Sequence, residues 1–259
     1  MSDFIQFEII EGVGIIRLNR PEKYNSFIRE MALELQSKLE FCNTNDSIRA
    51  VYLTGNGKAF CAGQDLAEAI DPDGPELSKI VSEHYNPIIK LIREIKLPVV
   101  CGVNGVAAGA GANIALACDL TIASNESSFI QAFSKIGLIP DSGGTFFLPR
   151  IVGLQKATAL MMLGDKVSAT EAEQMGMIFK VVPSQDLDEI GLKTANRLAK
   201  MPTYALALTK QALNASLNNN LDQQLELEDQ FQTMAGQSHD YQEGVNSFLE
   251  KRNPVFLGK

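Results

Sequence analysis

The sequence predicts an α/β fold, and three features lead to this prediction. Short β-type segments alternate with segments of helical periodicity over the first part of the chain, as in βαβ units. Residues 97–118 carry no charge and are rich in glycine and alanine, which is typical of a buried strand, a tight turn and a buried helix. From Gly153 onward the pattern is mainly helical.

The elements follow in order along the chain. Alternating residues around the Glu11-Gly12 turn predict a hairpin, and later apolar runs predict further strands. The predicted strands are residues 4–10, 14–18, 49–54, 98–103, 119–123 and 178–182. Apolar residues at helical spacing predict helices over residues 28–42, 76–95 and 109–118. Ser168 and Glu171 form a capping-box signature before a short helix, and three or four more helices are predicted over residues 186–249.

Composition limits the classes of function. A chain of 259 residues with 45% hydrophobic and 21% charged residues can bury the core of one large domain, with or without a small appendage. The net charge of −8 disfavours nucleic-acid and anionic-membrane partners, because both need clustered Lys and Arg. Pro98 and several glycines interrupt residues 97–118, so no membrane span is predicted there.

The cysteines and the amino terminus favour a cytoplasmic protein. The four cysteines form no CxxC pair and have no metal-ligand spacing, which predicts buried reduced thiols. No cluster of His, Asp or Glu suggests a metal site, so none is predicted. Asp3 stands where a signal peptide needs basic residues, so no export is expected.

Asp141 is the first candidate for chemistry. It lies in Gly137-Leu-Ile-Pro-Asp-Ser-Gly-Gly144, between apolar residues and a turn. Taken alone, Pro-Asp-Ser-Gly is ordinary turn chemistry, in which Asp accepts backbone N–H bonds. Burial beside Phe133 and Ile139 is expected to raise the pKa of Asp141 and make it a useful base.

Two glycine-rich segments could supply an anion site. In Phe60-Cys-Ala-Gly-Gln-Asp-Leu66, a glycine lets the backbone approach a ligand and frees the next amide. In Val103-Asn-Gly-Val-Ala-Ala-Gly-Ala-Gly-Ala-Asn113, a strand runs into a helix start with unpaired N–H groups. The alternatives are a capped turn and close helix–sheet packing. A dinucleotide fingerprint fails because Ile114 takes the third glycine position.

Other catalytic devices find little support. His84 and His239 lie in polar helical contexts, and His84 is interpreted as a surface or satisfied residue. The chain has no Gly-x-Ser-x-Gly elbow and no Walker A pattern.

The motifs together resemble the crotonase superfamily, the enoyl-CoA hydratase/isomerase family. The matching segments are Asn19-Arg-Pro21, Lys58-Ala-Phe-Cys-Ala-Gly-Gln-Asp-Leu66, Asn104-Gly…Gly111, Cys118-Asp119 and Gly137-Leu-Ile-Pro…Gly143-Gly-Thr145. The resemblance implies a ClpP-like spiral of ββα units over residues 1–198 and a C-terminal helical trimerisation region over residues 199–259. It also implies a homotrimer or a dimer of trimers.

The same resemblance assigns expected site residues for an acyl-CoA thioester, with coenzyme A as part of the substrate and no separate cofactor. The backbone N–H groups of Gln64 and Ala110 would form the oxyanion hole. The CoA-binding positions would be Ala62, Gln64, Asp65 and Leu66, and the substrate pocket would include Asn113, Phe133 and Ile139.

Departures from the family pattern indicate the reaction. Hydratases of the family use two glutamates, and here Asn113 and Phe133 occupy those positions. Neither side chain acts as a general acid or base at neutral pH. The resemblance therefore favours an isomerase in which Asp141 alone shuttles a proton through an enolate. The motifs are most similar to the phenylacetate-degradation isomerases, which convert 1,2-epoxyphenylacetyl-CoA to its oxepin and 3-enoyl-CoA to 2-enoyl-CoA.

Two alternatives stay open at this point. Aryl-CoA dehalogenases of the family use a nucleophilic aspartate with a histidine and a tryptophan, but this chain has no Trp. A non-catalytic crotonase-like binding protein would also lack the glutamate pair.

Overall fold

The computed structural model describes residues 4–259, and within that range it has an α/β architecture with ten strands in two sheets and twelve helices. The residues on which the export prediction rests, 1–3, lie outside the described range. The strands are β1 (Ile5–Ile10), β2 (Val13–Leu18), β3 (Ala50–Gly55), β4 (Ala59–Cys61), β5 (Val99–Val103), β6 (Val106–Ala108), β7 (Leu120–Ser124), β8 (Ser128–Ile130), β9 (Lys166–Ser168) and β10 (Lys180–Val182).

The helices are α1 (Arg29–Thr44), α2 (Leu66–Ala69), α3 (Leu77–Lys79), α4 (Asn86–Glu94), α5 (Ala110–Ala117), α6 (Gly144–Val152), α7 (Leu154–Leu163), α8 (Ala169–Gln174), α9 (Leu187–Ala199), α10 (Thr203–Ser216), α11 (Leu221–Gly236) and α12 (His239–Glu250). Short 3₁₀ turns occur at Pro21–Lys23, Ala132–Ile136 and Ser184–Asp186. The predicted strands and helices are therefore found, with ends shifted by a few residues.

The larger sheet has the strand order β1-β2-β3-β5-β7-β10. β1 and β2 form the predicted antiparallel hairpin, and the remaining neighbours are parallel. Alternate residues of these strands enter two cores: Ile16 packs towards α1, whereas Ile15 packs towards α9. Because both faces are covered, β3 and β5 are buried along their whole length.

The smaller sheet was not predicted from the sequence. Its order is β4-β6-β8-β9, and each strand has three residues. A three-residue strand is too short to show the alternation by which strands are recognised. This sheet carries the segments just before Gln64 and Ala110 and thus positions the candidate site.

The predicted helix over residues 76–95 contains a π-helical turn, Ile80–Tyr85, between α3 and α4. Such turns are rare in proteins, and those that occur are often located at functional sites. His84 lies in this turn and is fully buried, with no hydrogen-bond partner for either ring nitrogen among the described residues. The prediction that His84 is a surface or satisfied residue is wrong. Burial lowers the pKa of the imidazole, so the neutral ring is favoured.

Helices α10–α12 form the C-terminal region. The ammonium group of Lys210, on α10, donates to the Ile92 carbonyl oxygen at 2.7 Å and to an Asp119 carboxylate oxygen at 2.8 Å. These bonds attach the region to the core. The division into residues 1–198 and 199–259 stays a prediction.

Two other predictions can be compared with the structure. All four cysteines are buried and free. No helix within residues 4–259 is long and apolar enough to cross a membrane, and residues 97–118 form β5, β6 and α5.

Candidate active site

A cavity of about 340 Å³ lies where the glycine-rich segments meet the Asp141 turn. Its walls combine main chain from these loops with apolar side chains and a few charged groups. The lining residues are Lys23, Ser26, Ala62, Gly63, Gln64, Asp65, Leu66, Ala69, Leu77, Ile80, Gly109, Ala110, Ala132, Phe133, Ile136, Leu138 and Asp141. A concave, mostly apolar site with a few convergent polar groups is typical of a small-molecule site.

The amide of Gln64 is free to face a ligand. Gln64 forms an isolated parallel bridge with Phe27. The Phe27 N–H donates to the Gly63 carbonyl oxygen, and the Asp65 N–H donates to the Phe27 carbonyl oxygen. Since successive amides of an extended chain point to opposite sides, the Gln64 N–H points away from Phe27. It has no acceptor in residues 4–259.

The side chain of Gln64 is anchored behind this amide. Its amide nitrogen donates to Glu68 at 2.6 Å, and its carbonyl oxygen accepts from the Tyr85 hydroxyl at 3.0 Å. Tyr85 is buried and belongs to the π-helical turn. These bonds hold the loop in place, so the direction of the amide is fixed before a ligand binds.

The second amide belongs to Ala110, the first residue of α5. An N–H at this position has no partner within its own helix, and Ala110 has no other acceptor in the described chain. Gly109 has φ +54°, which directs the chain into the helix. A β-carbon placed on Gly63, where φ is +91°, would lie 3.5 Å from the Ala110 nitrogen. The two loops are therefore in contact, and both amides border the cavity.

Asp141 lies on the same cavity, in the turn between the 3₁₀ segment Ala132–Ile136 and α6. Its carboxylate is half-buried. One carboxylate oxygen accepts a hydrogen bond from the Ser142 hydroxyl at 2.8 Å. The structure brings Asp141 together with both free amides, as the resemblance implied.

The proton affinity of Asp141 is raised. Burial raises the pKa of this carboxyl group above its usual value, and the hydrogen bond from Ser142 opposes part of that increase. The expected direction is therefore found. A carboxylate with raised proton affinity is a stronger base when it is ionised.

Phe133 lines the cavity and is buried. Its ring edge lies 3.7 Å from the position that a β-carbon on Gly109 would take. The ring therefore covers the wall beside the Ala110 amide. An aromatic side chain here offers no proton-transfer group.

Two expected pocket residues are placed elsewhere. Ile139 does not line the cavity and its side chain is 82% exposed, so burial of Asp141 does not come from Ile139. Asn113 is fully buried behind the wall, where its amide nitrogen donates to the main-chain carbonyl of Asp141 at 2.8 Å. Both assignments to the substrate pocket are wrong for the described cavity.

The expected CoA-binding positions border the cavity. Ala62, Gln64, Asp65 and Leu66 all line it, and their role towards CoA stays a prediction. The Asp65 carboxylate accepts from Arg20 at 2.7 Å and caps α2 through the Ala67 N–H. Burial would raise the pKa of Asp65, but the hydrogen bonds from Arg20 and Ala67 lower it overall.

Sequence reasoning did not identify two groups at this site. Tyr85 and Ser142 anchor the two chemically important loops. Ser142 could have been found, since it adjoins Asp141 in the sequence. Tyr85 gave no such signal, because it lies 21 positions from Gln64. No residue of α10–α12 lines this cavity within the described chain.

Comparison with known proteins agrees with this arrangement. The family model described as "Enoyl-CoA hydratase/isomerase" matches residues 8–259. The 1,2-epoxyphenylacetyl-CoA isomerase of Escherichia coli is 47% identical over 100% of both chains. A Rhodobacter capsulatus protein described as a probable enoyl-CoA hydratase is 44% identical over 98% of both chains.

Solved structures share the fold. A chain from Mycobacterium abscessus, assigned to the enoyl-CoA hydratases and isomerases, superimposes with a TM-score of 0.94 at 37% identity, over 98% of this chain and 100% of its own. The predicted fold class and the suspected family are confirmed. The protein is a member of the enoyl-CoA hydratase/isomerase family and has the crotonase fold.

Proposed function

We propose that this protein is an acyl-CoA isomerase that moves a double bond through an enolate, with Asp141 as the proton shuttle. One observation carries the proposal: within residues 4–259, one carboxylate that is not ion-paired shares the cavity with two backbone amides that have no acceptor. The other acid that lines the cavity, Asp65, is ion-paired with Arg20. Asp141 is thus the base available to a bound substrate.

The reaction needs one base and one anion site. Asp141 removes a proton from C2 of a 3-enoyl-CoA, and the electrons move into the thioester carbonyl to form a dienolate. The N–H groups of Gln64 and Ala110 hold the oxyanion. The protonated Asp141 returns the proton to C4, the thioester carbonyl re-forms, and 2-enoyl-CoA results with Asp141 again ionised.

The preferred substrate is 1,2-epoxyphenylacetyl-CoA, which the enzyme would convert to the oxepin. The 47% identity to the isomerase of that name supports this choice. The apolar wall formed by Leu77, Ile80 and Phe133 suits an aromatic or aliphatic acyl group. A role in phenylacetate catabolism follows from this substrate. The predicted cytoplasmic location and the lack of a separate cofactor belong to the same proposal.

Hydration of a double bond is the second candidate, favoured by the 44% identity to a relative described as a hydratase. It needs a pair of groups to activate water and protonate carbon. Asn113 is fully buried behind the turn and Phe133 is apolar, so the cavity offers one such group in Asp141. Isomerisation is therefore the better match to these side chains.

The experiment is incubation of the purified protein with 3-enoyl-CoA in deuterated water, followed by mass spectrometry of the product. We expect 2-enoyl-CoA, and we expect the Asp141→Asn variant to be folded but inactive. Parallel incubations use 1,2-epoxyphenylacetyl-CoA, crotonyl-CoA and 4-chlorobenzoyl-CoA. A hydrated product would support the hydratase, and release of chloride would support the dehalogenase. Binding of the CoA esters without turnover would support the non-catalytic protein. Each of these results would contradict the isomerase.

The proposed assembly is a homotrimer or a dimer of trimers. A cleft of about 810 Å³ between the C-terminal helices is lined by Tyr241, Val245 and Phe248, whose apolar side chains are exposed in the single chain. Exposed apolar surface of this kind marks an interaction site. Light scattering coupled to size-exclusion chromatography tests the proposal, and a monomer would contradict it.

A further inference from the structure

Asn113 has an unusual place in the fold. It is the single polar side chain in α5, whose other residues are Gly, Ala, Ile and Leu. Every residue of that helix is buried. Placing an amide there costs free energy unless its polar atoms are hydrogen-bonded. The position therefore calls for specific partners, and the structure provides them on both sides.

Those partners form a directed chain of amides. The Asn113 side-chain nitrogen donates to the Asp141 carbonyl oxygen at 2.8 Å, and the Asn113 side-chain oxygen accepts from Gln131 at 2.8 Å. The Asp141 carbonyl can only accept, so it requires the nitrogen of Asn113 on its side. That leaves the oxygen of Asn113 facing Gln131, which must then present its own nitrogen.

The turn that this chain reaches is conformationally demanding. Ser142 and Gly143 both have positive φ, +51° and +71°, which is the pattern of a tight type I′ turn. The turn is closed by the Gly144 N–H, which donates to the same Asp141 carbonyl at 2.8 Å. A left-handed residue such as Ser142 persists only where its surroundings enforce it. Asn113 packs directly beneath, since a β-carbon on Gly144 would collide with the side-chain nitrogen of Asn113.

We propose that Asn113 is a positioning residue that aims the Asp141 carboxylate, and that Gln131 fixes the orientation of the Asn113 amide. The inference rests on the proposed function, since it takes Asp141 as the base. With the carbonyl of Asp141 held by two donors and one carboxylate oxygen held by Ser142, the second carboxylate oxygen is left to take the substrate proton.

The burial of Asp141 makes its titration a usable readout of its position, and Lys23 and Asp65 are the charged residues that line the same cavity. Burial raises the pKa of Asp141, and Tyr85 is the titratable neighbour whose own pKa the Asp141 charge helps to raise. Loss of the Asn113 bond frees the turn towards water. The pKa of Asp141 then moves down towards its usual value, and the acidic limb of the rate profile moves to lower pH.

The test compares three variants of the full chain with 3-enoyl-CoA as substrate. Asn113→Leu removes the donor at nearly constant volume. Gln131→Glu replaces the donor that faces the Asn113 oxygen by an acceptor. Thr54→Val is the matched control, because it removes another buried hydrogen bond to a main-chain carbonyl, that of Gly102 at 2.7 Å. Each variant is measured for kcat, KM, the pH dependence of kcat/KM and unfolding by urea.

We expect kcat of Asn113→Leu to fall roughly 10- to 100-fold, since small displacements of a catalytic group are costly. KM should change little because the substrate contacts remain. Gln131→Glu should also lower kcat, and the loss should grow as the pH rises and the new carboxyl group ionises. Thr54→Val should lose stability while kcat and the pH profile stay as in the parent.

Wild-type kcat and an unshifted acidic limb in Asn113→Leu would overturn the inference. So would an equal loss of kcat in Thr54→Val at equal stability. If Asn113→Leu does not fold, the kcat of Gln131→Glu is the test, and an unchanged kcat in Gln131→Glu counts against the inference. Asp141→Asn is measured alongside: activity retained in that variant refutes the proposed function, whereas its loss together with a normal Asn113→Leu refutes the positioning role alone.

Discussion

The Ser142 hydroxyl donates a hydrogen bond to the Asp141 carboxylate at 2.8 Å, within a turn where Ser142 itself has φ +51°. Ser142 is buried, so water does not replace this bond. The bond favours the ionised form of Asp141 and opposes the effect of burial on its pKa. The neighbour in the sequence thus moderates the increase in pKa that burial causes.

Ser142→Ala is expected to raise the pKa of Asp141 further, because the ionised carboxylate loses a donor. Since the base acts in its ionised form, the acidic limb of kcat/KM should move to higher pH. A pH–rate profile with 3-enoyl-CoA measures this shift. Ser142→Gly is the control, since it also removes the hydroxyl but relieves the positive φ. The two variants should share the pH shift and differ in stability, and an unshifted limb in both would contradict the assignment.

Gly63→Ala is expected to impair catalysis much more than Gln64→Ala. A β-carbon at Gly63 would lie 3.0 Å from the Ala108 carbonyl oxygen, and the alanine would have to adopt the φ of +91° that Gly63 has. The loop must therefore move. Loss of one oxyanion donor typically lowers kcat by roughly 100- to 1,000-fold. Gln64→Ala removes the side-chain bonds to Glu68, Tyr85 and the Asp65 carbonyl oxygen. It keeps the amide itself and the main-chain bridge to Phe27 that directs this amide into the cavity. Steady-state kinetics of both variants measure the loss of kcat. Comparable losses in the two variants would argue against the main-chain amide of Gln64 as an oxyanion donor.

Phe133→Ala is expected to admit water to the cavity. The ring is buried beside Gly109, and its removal should lower the free energy of unfolding by about 3 kcal/mol. The product formed in deuterated water should carry more solvent deuterium. Ile136→Ala is the control, because Ile136 lines the same cavity but is 53% exposed. Mass spectrometry and urea unfolding test both variants, and equal deuterium content would contradict the shielding role.

Lys210→Met is expected to destabilise the fold. The ammonium group of Lys210 is buried against the Ile92 carbonyl and Asp119, and removing one partner of a buried pair costs about 3 kcal/mol. Lys200→Met removes an exposed ion pair with Glu11 at 3.6 Å, which should change stability by less than about 1 kcal/mol. Urea unfolding of both variants measures the difference. Equal effects would show that the buried contact does not hold α10 to the core.

Much of the fold could be predicted because it is encoded locally. The β1–β2 hairpin, α1 and the capping box of α8 follow from turn residues and from periodicity within single segments. The smaller sheet could not be predicted, since its three-residue strands are defined by their partners. The burial of His84 was also missed, because the π-helical turn changes which face of the segment is buried.

The sequence by itself determined which groups are available. The order of the motifs, the acid at position 141 and the absence of acids at positions 113 and 133 are readable without coordinates, and they indicate the family and favour one proton-transfer group. The tertiary structure decided where those groups point. Asn113 supports the Asp141 turn instead of lining the pocket, and Ile139 faces outward. The physical reason is that orientation depends on contacts between distant segments, such as the bond from Asn113 to Asp141 across 28 residues, which no local pattern records.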